Sequence, residues 1–190
     1  MAGSVAALGG ARADGVVTVS ETRPRAMVSL KGDLGADALR QSVKSATGID
    51  VPPALEGAEA GEAGVLWMAP DELLLLGPRD EAGRIVAELE SALAGSHFLA
   101  ADISDARSVF RLEAEDGAIR DVLSKLTPAD LSPDAFPVGR FRRTRIAQIA
   151  GALWMREPQV AEVFVFRSMA QYAFDLLSNA AEPGGKVGHF

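Results

Sequence analysis

The chain has 190 residues, 48% of them apolar and 24% charged, the make-up of an ordinary globular protein of one domain or a compact duplicated one. It contains no cysteine, which removes disulfide frameworks, thiolate nucleophiles, iron–sulfur clusters and cysteine-based zinc sites together. The net charge of −7 repels nucleic acid and anionic lipid. Neither a leader-like start nor a run of about 18 apolar residues is read, so the expectation is a soluble chain with no nucleic-acid or membrane partner.

Residues 1–15, rich in Ala and Gly, read as a mobile arm, and Val16 to Val19 as a short strand added to an edge. Ala26 to Leu30 alternates as a strand, and Leu39, Val43 and Ala46 share a helical face that Gly48 ends. Val51 to Gly64, with Pro52, Pro53 and three glycines, reads as a loop. A hairpin follows, Val65 to Ala69 and Leu73 to Leu76, turning at Pro70, Asp71 and Glu72. Ile85, Leu89 and Leu93 then form the stripe of a helix with Gly95 near its end, and Phe98 to Ile103 is a strand.

The order then recurs. Val109 to Leu112 reads as a strand, and Ile119, Val122, Leu123 and Leu126 as a helix. Thr127 to Gly139, with Pro128, Pro133 and Pro137, is an ordered loop. Thr144 to Met155 and Glu162 to Phe166 read as paired strands joined at Arg156, Glu157 and Pro158. The last helix begins at Ser168 with Gln171 as a capping box, buries Met169, Ala173, Leu176, Leu177 and Ala180, and ends at Pro183. Leu66-Trp67-Met68 and Leu153-Trp154-Met155 open corresponding hairpins. The fold class is therefore α+β, with two related βαββαβ-like halves at about 25–103 and 106–181. An arm over 1–24 precedes them and a tail over 183–190 follows.

Chemistry is sparse. The two histidines, His97 and His189, lack a second histidine at ligand spacing and read as solvated or hydrogen-bonded residues. Gly184-Gly185-Lys186-Val187-Gly188 resembles a phosphate loop in composition, but no helix follows it. Asp71-Glu72 and Asp102 with Asp105 read as turn residues rather than an acid–base pair, and no Gly-x-Ser-x-Gly elbow supports a serine nucleophile. Trp67 and Trp154 read as core residues at equivalent places of the repeat rather than a stacking platform.

The most unusual local feature is Arg140, Arg142, Arg143 and Arg145 in an otherwise acidic chain. Arginine suits interface ion pairs because its planar fork makes two parallel hydrogen bonds. The other reading is a strand edge kept from aggregation by charge.

In order along residues 20–182, several stretches together resemble the gamma subunit family of heterotetrameric sarcosine oxidase. They are Trp67-Met68-Ala69-Pro70-Asp71-Glu72 with the leucines after it, Asp102-Ile103-Ser104-Asp105-Ala106-Arg107, Asp130-Leu131, Arg143-Thr144-Arg145 and Val163-Phe164-Val165-Phe166-Arg167-Ser168. The resemblance implies a cytoplasmic complex that oxidatively demethylates sarcosine to glycine, with hydrogen peroxide and formaldehyde or 5,10-methylene-tetrahydrofolate as the other products. It also implies alpha, beta and delta partners that carry FAD, FMN, NAD, zinc and tetrahydrofolate, and a gamma chain with no catalytic, cofactor or metal residue of its own. The family is similar in fold to the folate-binding domains of glycine-cleavage T protein. The alternatives are a folate-binding or aminomethyl-transfer protein, with Asp102 as first candidate for the pterin, and an interaction module of another complex.

Overall fold

The computed structural model describes residues 5–115, 117–184 and 188; Gly185, Lys186, Val187 and His189 of the stretches singled out above lie outside them. In chain order the elements are β1 (Arg12–Ala13), β2 (Thr18–Glu21), β3 (Ala26–Lys31), α1 (Asp37–Thr47), β4 (Gly57–Ala60), β5 (Ala63–Ala69), β6 (Glu72–Gly77) and α2 (Ala82–Ala92). They continue with β7 (Leu99–Asp102), β8 (Arg107–Glu113), α3 (Ala118–Ser124), β9 (Phe141–Ile146), β10 (Ile149–Glu157), β11 (Val160–Phe166) and α4 (Ala170–Ala180). The architecture is α+β. Residues 25–104 form one compact unit, and the residues before Arg25 join those from Asp105 onward in the other.

The unit of residues 25–104 is an antiparallel sheet in the order β4-β5-β6-β3-β7 with both helices on one face. Leu39, Val43 and Ala46 of α1 and Ile85 and Leu89 of α2 meet Val28, Leu30, Val65, Leu73 and Leu75 in one cluster. Each fully buried aliphatic of this kind contributes about 2 kcal/mol. Gly48 ends α1 in a left-handed conformation at φ 74°, its N–H donating to the Lys44 carbonyl at 2.8 Å, as the sequence pattern predicts. Leu66, Met68, Leu74 and Leu76 are buried on the other face. Burial on both faces explains the unbroken apolar run Leu73 to Leu76.

The second unit is a sheet in the order β1-β2-β8-β11-β10-β9, with α3 and α4 on one face. Phe110, Leu112, Leu153, Met155, Val163 and Val165 meet Ile119, Val122, Leu123, Ala173 and Leu177 there. Leaving aside β1, both sheets run in one pattern. The first strand after the unit boundary is flanked on one side by the last strand of a three-strand meander, and on the other by β7 or β2. In the second unit that flanking strand comes from the N-terminal segment, not from a strand after α4.

Several expectations are corrected. The described part of the arm is held rather than loose: β1 pairs with β2, and Leu8 and Gly10 donate their N–H groups to Glu21 Oε2 at 2.9 and 3.1 Å. The expected loop at 51–64 contains β4, paired with β5. The single strand expected over 144–155 is two, β9 and β10, joined by the two-residue turn Ala147-Gln148. The capping box is not formed: a short 3-10 turn at Arg167–Met169 leads into α4, and Gln171 instead donates to Asp175 at 2.8 Å.

The two tryptophans are not equivalent. Pro70-Asp71 and Pro158-Gln159 each fill a two-residue turn, with a bulge just before it at Met68 and at Arg156. Counting back from the turns, Trp67 opposite Leu73 corresponds to Met155 opposite Ala161, and Trp154 lies one place further, opposite Glu162. One place changes the face of a strand. Trp67 therefore packs against the helix-side cluster, whereas Trp154 is buried on the face away from the helices.

Candidate interaction site

The arginine cluster sits at the start of, and along, the strand that closes one side of the six-stranded sheet. β9 pairs with β10 from Phe141↔Trp154 to Ile146↔Ile149, and among the described residues no strand pairs with its other side. Side chains alternate, so Arg142, Thr144 and the buried Ile146 share the helix face, and Arg143 and Arg145 share the opposite face with Phe141. Arg142, Arg143 and Arg145 are exposed. Arg140 precedes the strand, half-buried, and its buried Nε has no hydrogen-bond partner among the described residues.

The surroundings hold parts of this strip in place. Arg145 Nη2 donates to the backbone carbonyl of Gln148 at 3.3 Å and to its Oε1 at 3.2 Å. The Asp130 carboxyl is held below its ordinary range, chiefly because the Ser132 N–H donates to it at 2.9 Å, with the Arg142 guanidinium adding a smaller effect. Thr144 and Thr127 join hydroxyls at 3.0 Å, and the Ala147 N–H donates to the Leu126 carbonyl at 2.6 Å, tying the β9–β10 turn to the end of α3. The proline loop below is fastened by Arg120, whose Nη1 donates to the carbonyls of Leu131 and Phe136, the latter at 3.0 Å. Burial lowers the pKa of that guanidinium.

The other candidates stay apart. Asp102 Oδ1 accepts from both the N–H and the hydroxyl of Ser104, and Ser104 Oγ accepts from the Met27 N–H at 3.0 Å, so this carboxylate shapes the turn after β7. Asp71 lies in the β5–β6 turn, where its carbonyl accepts from the Gly32 N–H at 3.0 Å. Glu72 belongs to β6, accepting from the Ser29 hydroxyl at 3.0 Å. His97 is exposed beside a cleft of about 390 Å³ lined also by Lys31, Asp33, Asp71 and Leu99. Trp67 forms part of a cleft of about 370 Å³ with Arg40, Pro52 and Pro53. Among the described residues no three His, Asp or Glu side chains are placed to hold a metal ion, and no helix is long and apolar enough to cross a membrane.

One feature of the charge distribution escapes sequence reading. Glu162 is 1% exposed on the face of the sheet away from the helices, opposite Trp154, where Arg156 pairs with it at 2.8 Å and stacks over the indole at 5.1 Å. A single glutamate in an apolar strand, with an arginine six residues back across a turn, is the signal in the sequence.

The model of the sarcosine oxidase gamma subunit family matches residues 31–182. The sarcosine oxidase subunit gamma of Arthrobacter sp is 36% identical over 131 residues, 67% of this chain and 62% of the relative, so the match spans less than two thirds of that relative's length. A chain of the heterotetrameric sarcosine oxidase of Corynebacterium sp. U-96, in complex with pyrrole 2-carboxylate, superposes with a TM-score of 0.78 at 30% identity, covering 90% of this chain and 87% of that one. The glycine cleavage system aminomethyltransferase T of Bartonella henselae shares the fold, with a TM-score of 0.60 at 13% identity over 86% of this chain and 45% of that one.

Proposed function

The chain belongs to the sarcosine oxidase gamma subunit family, and from that premise we propose that it is a subunit without a catalytic site of its own in a heterotetrameric sarcosine oxidase. The observation that carries the reading is the match, over 90% of this chain, to a chain of a heterotetrameric sarcosine oxidase. Its partners are the alpha, beta and delta subunits. The complex demethylates sarcosine oxidatively to glycine and releases hydrogen peroxide with formaldehyde or 5,10-methylene-tetrahydrofolate. FAD, FMN, NAD, zinc and tetrahydrofolate belong to the partner chains, and the complex is cytoplasmic.

Within that complex the role of this chain is assembly. The strip of Arg140, Arg142, Arg143 and Arg145 is its partner interface, a reading supported by the exposed side chains of Arg142, Arg143 and Arg145 on a strand at the edge of its sheet in an acidic protein. We also read 25–103 and 106–181 as copies of one motif, supported by the shared strand order and the matching bulged hairpins. The test compares this chain alone, the other three subunits alone and all four together. Sarcosine-dependent peroxide and flavin absorbance are expected from the four-chain complex and not from this chain; turnover or stoichiometric flavin in the isolated chain overturns the reading.

A further inference from the structure

We propose that the cleft lined by Arg40 of α1, the Pro52-Pro53 loop and Trp67 of β5 binds a small monocarboxylate with a flat apolar body, the carboxylate meeting Arg40 and the body lying against Trp67. The inference goes beyond the subunit reading and does not depend on it.

The cleft encloses about 370 Å³, within the range of small-molecule sites, which combine an apolar lining with a few placed polar groups. Leu34, Val51, Pro52, Pro53 and Trp67 supply the apolar lining, and Arg40 is the single charged side chain in it. Arg40 is exposed, and its guanidinium makes no hydrogen bond or ion pair among the described residues, although Asp37 stands three residues before it on the same helix. Arg84 on α2 differs: Glu81 and Glu88 occupy its guanidinium at 2.6 and 2.8 Å. Trp67 packs against the core cluster yet is only half-buried, and its indole N–H is also without a partner among the described residues.

The walls are fastened independently of any ligand. Proline fixes φ at two consecutive positions of the loop. The Pro53 carbonyl accepts from the Glu56 N–H at 3.2 Å, and the Glu56 carbonyl accepts from the Trp67 N–H at 3.0 Å, so the loop is tied to the strand that carries the indole. The turn from Pro53 to Glu56 holds Leu55 at a positive φ of 64°, where glycine or asparagine is the usual occupant. Backbone strain of this kind persists only where the surrounding structure imposes it, and it clusters at ligand sites.

Charge and shape select the ligand. A carboxylate matches the fork of a guanidinium through two parallel hydrogen bonds. One negative charge is all that this lining neutralises, and a phosphate dianion would keep an uncompensated charge against apolar walls. The lining holds no carboxylate to receive an ammonium group, which sets zwitterionic amino acids aside. A planar ring suits the half-buried indole, on which it can stack.

The test uses the full chain labelled with 5-fluorotryptophan, free and assembled with its partner subunits, so that Trp67 and Trp154 are the two reporters. Trp67→Phe assigns their fluorine signals. Benzoate should shift the Trp67 signal saturably, with half-saturation at about 1 mM or below, and leave in place the signal of Trp154, a buried residue of the other unit. Benzamide, which keeps the ring and lacks the charge, should bind about 10-fold more weakly or worse. Arg40→Gln, at an exposed helix position, should keep the thermal unfolding midpoint and reduce benzoate binding to the level of benzamide. The absence of a saturable shift at Trp67, equal binding of benzamide, or undiminished benzoate binding by Arg40→Gln each overturns the proposal. Benzoate binding by the free chain that is lost in the assembled complex overturns it too, because the cleft then belongs to a side chain of a partner.

Discussion

Arg156 forms a 2.8 Å ion pair with Glu162, whose side chain is 2% exposed, and its guanidinium lies 5.1 Å from the centre of the Trp154 ring. Removing one partner from a buried pair leaves a desolvated charge, whereas replacing both by apolar groups of similar volume is often tolerated. Arg156→Ala should therefore destabilise the protein by about 3 kcal/mol in urea or thermal unfolding. The double substitution Arg156→Met with Glu162→Leu should cost less than Arg156→Ala alone. A single substitution that costs under about 0.5 kcal/mol would show that the pair does not hold the sheet.

Glu21 fastens the N-terminal segment by accepting from the N–H groups of Leu8 and Gly10 and, through its other oxygen, from the Ser108 hydroxyl at 3.3 Å. Glu21→Ala removes acceptors for two backbone donors, a loss of about 1 to 3 kcal/mol. Limited proteolysis should then cleave ahead of β1 at least ten times faster than in the wild type. An unchanged cleavage rate would mean that strand pairing alone holds the segment.

Gly15 passes so close to the end of α4 that a Cβ placed there would lie 2.0 Å from the Ala181 carbonyl oxygen. The same carbonyl accepts from the Val16 N–H at 2.8 Å. Gly15→Ala must separate the two segments, at a cost of about 3 kcal/mol, in the upper range for overpacking. The midpoint of thermal unfolding reports it directly, and a wild-type midpoint would contradict the close approach.

Arg120 joins α3 to the proline loop by donating to two of its carbonyls, and Leu131 and Phe136, whose carbonyls these are, are both buried at 1% exposure. Charged hydrogen bonds of this kind are worth about 1.5 to 3 kcal/mol. Arg120→Met keeps the stem but not the donors, so it should lower stability by about 2 kcal/mol and increase hydrogen exchange over 130–137. Arg120→Lys should recover part of the loss. Equal stability in all three proteins would assign the loop's order to its apolar residues instead.

The sequence is legible where periodicity and packing agree. The stripes Leu39-Val43-Ala46 and Ile85-Leu89-Leu93 and the strands around Ala26, Val65 and Val109 are found where alternation and spacing place them. The β9–β10 turn was hidden because Ala147-Gln148 carries none of the usual turn residues, although Ala147 adopts a positive φ of 48°, so alternation runs on through Ile146 and Ile149. β4 was hidden because Gly57–Ala60 has little apolar character and owes its pairing to β5. Matching Leu-Trp-Met triplets suggest equivalent tryptophans, but the two bulged turns are alike and the second triplet lies one residue further from its turn, a shift that identity over three residues does not report. The arginine strip is legible as a cluster; that it lies on the last strand of a sheet requires the topology.

The central claim, that this chain is an assembly subunit of a flavin-containing complex, is tested most directly by affinity capture of the tagged full chain from its native host followed by native mass spectrometry and an absorbance spectrum. The account predicts one species containing this chain and three others, with flavin absorbance that stays with the other chains when this chain is separated from them. A chain that runs alone, or one captured with proteins that carry no flavin, contradicts it.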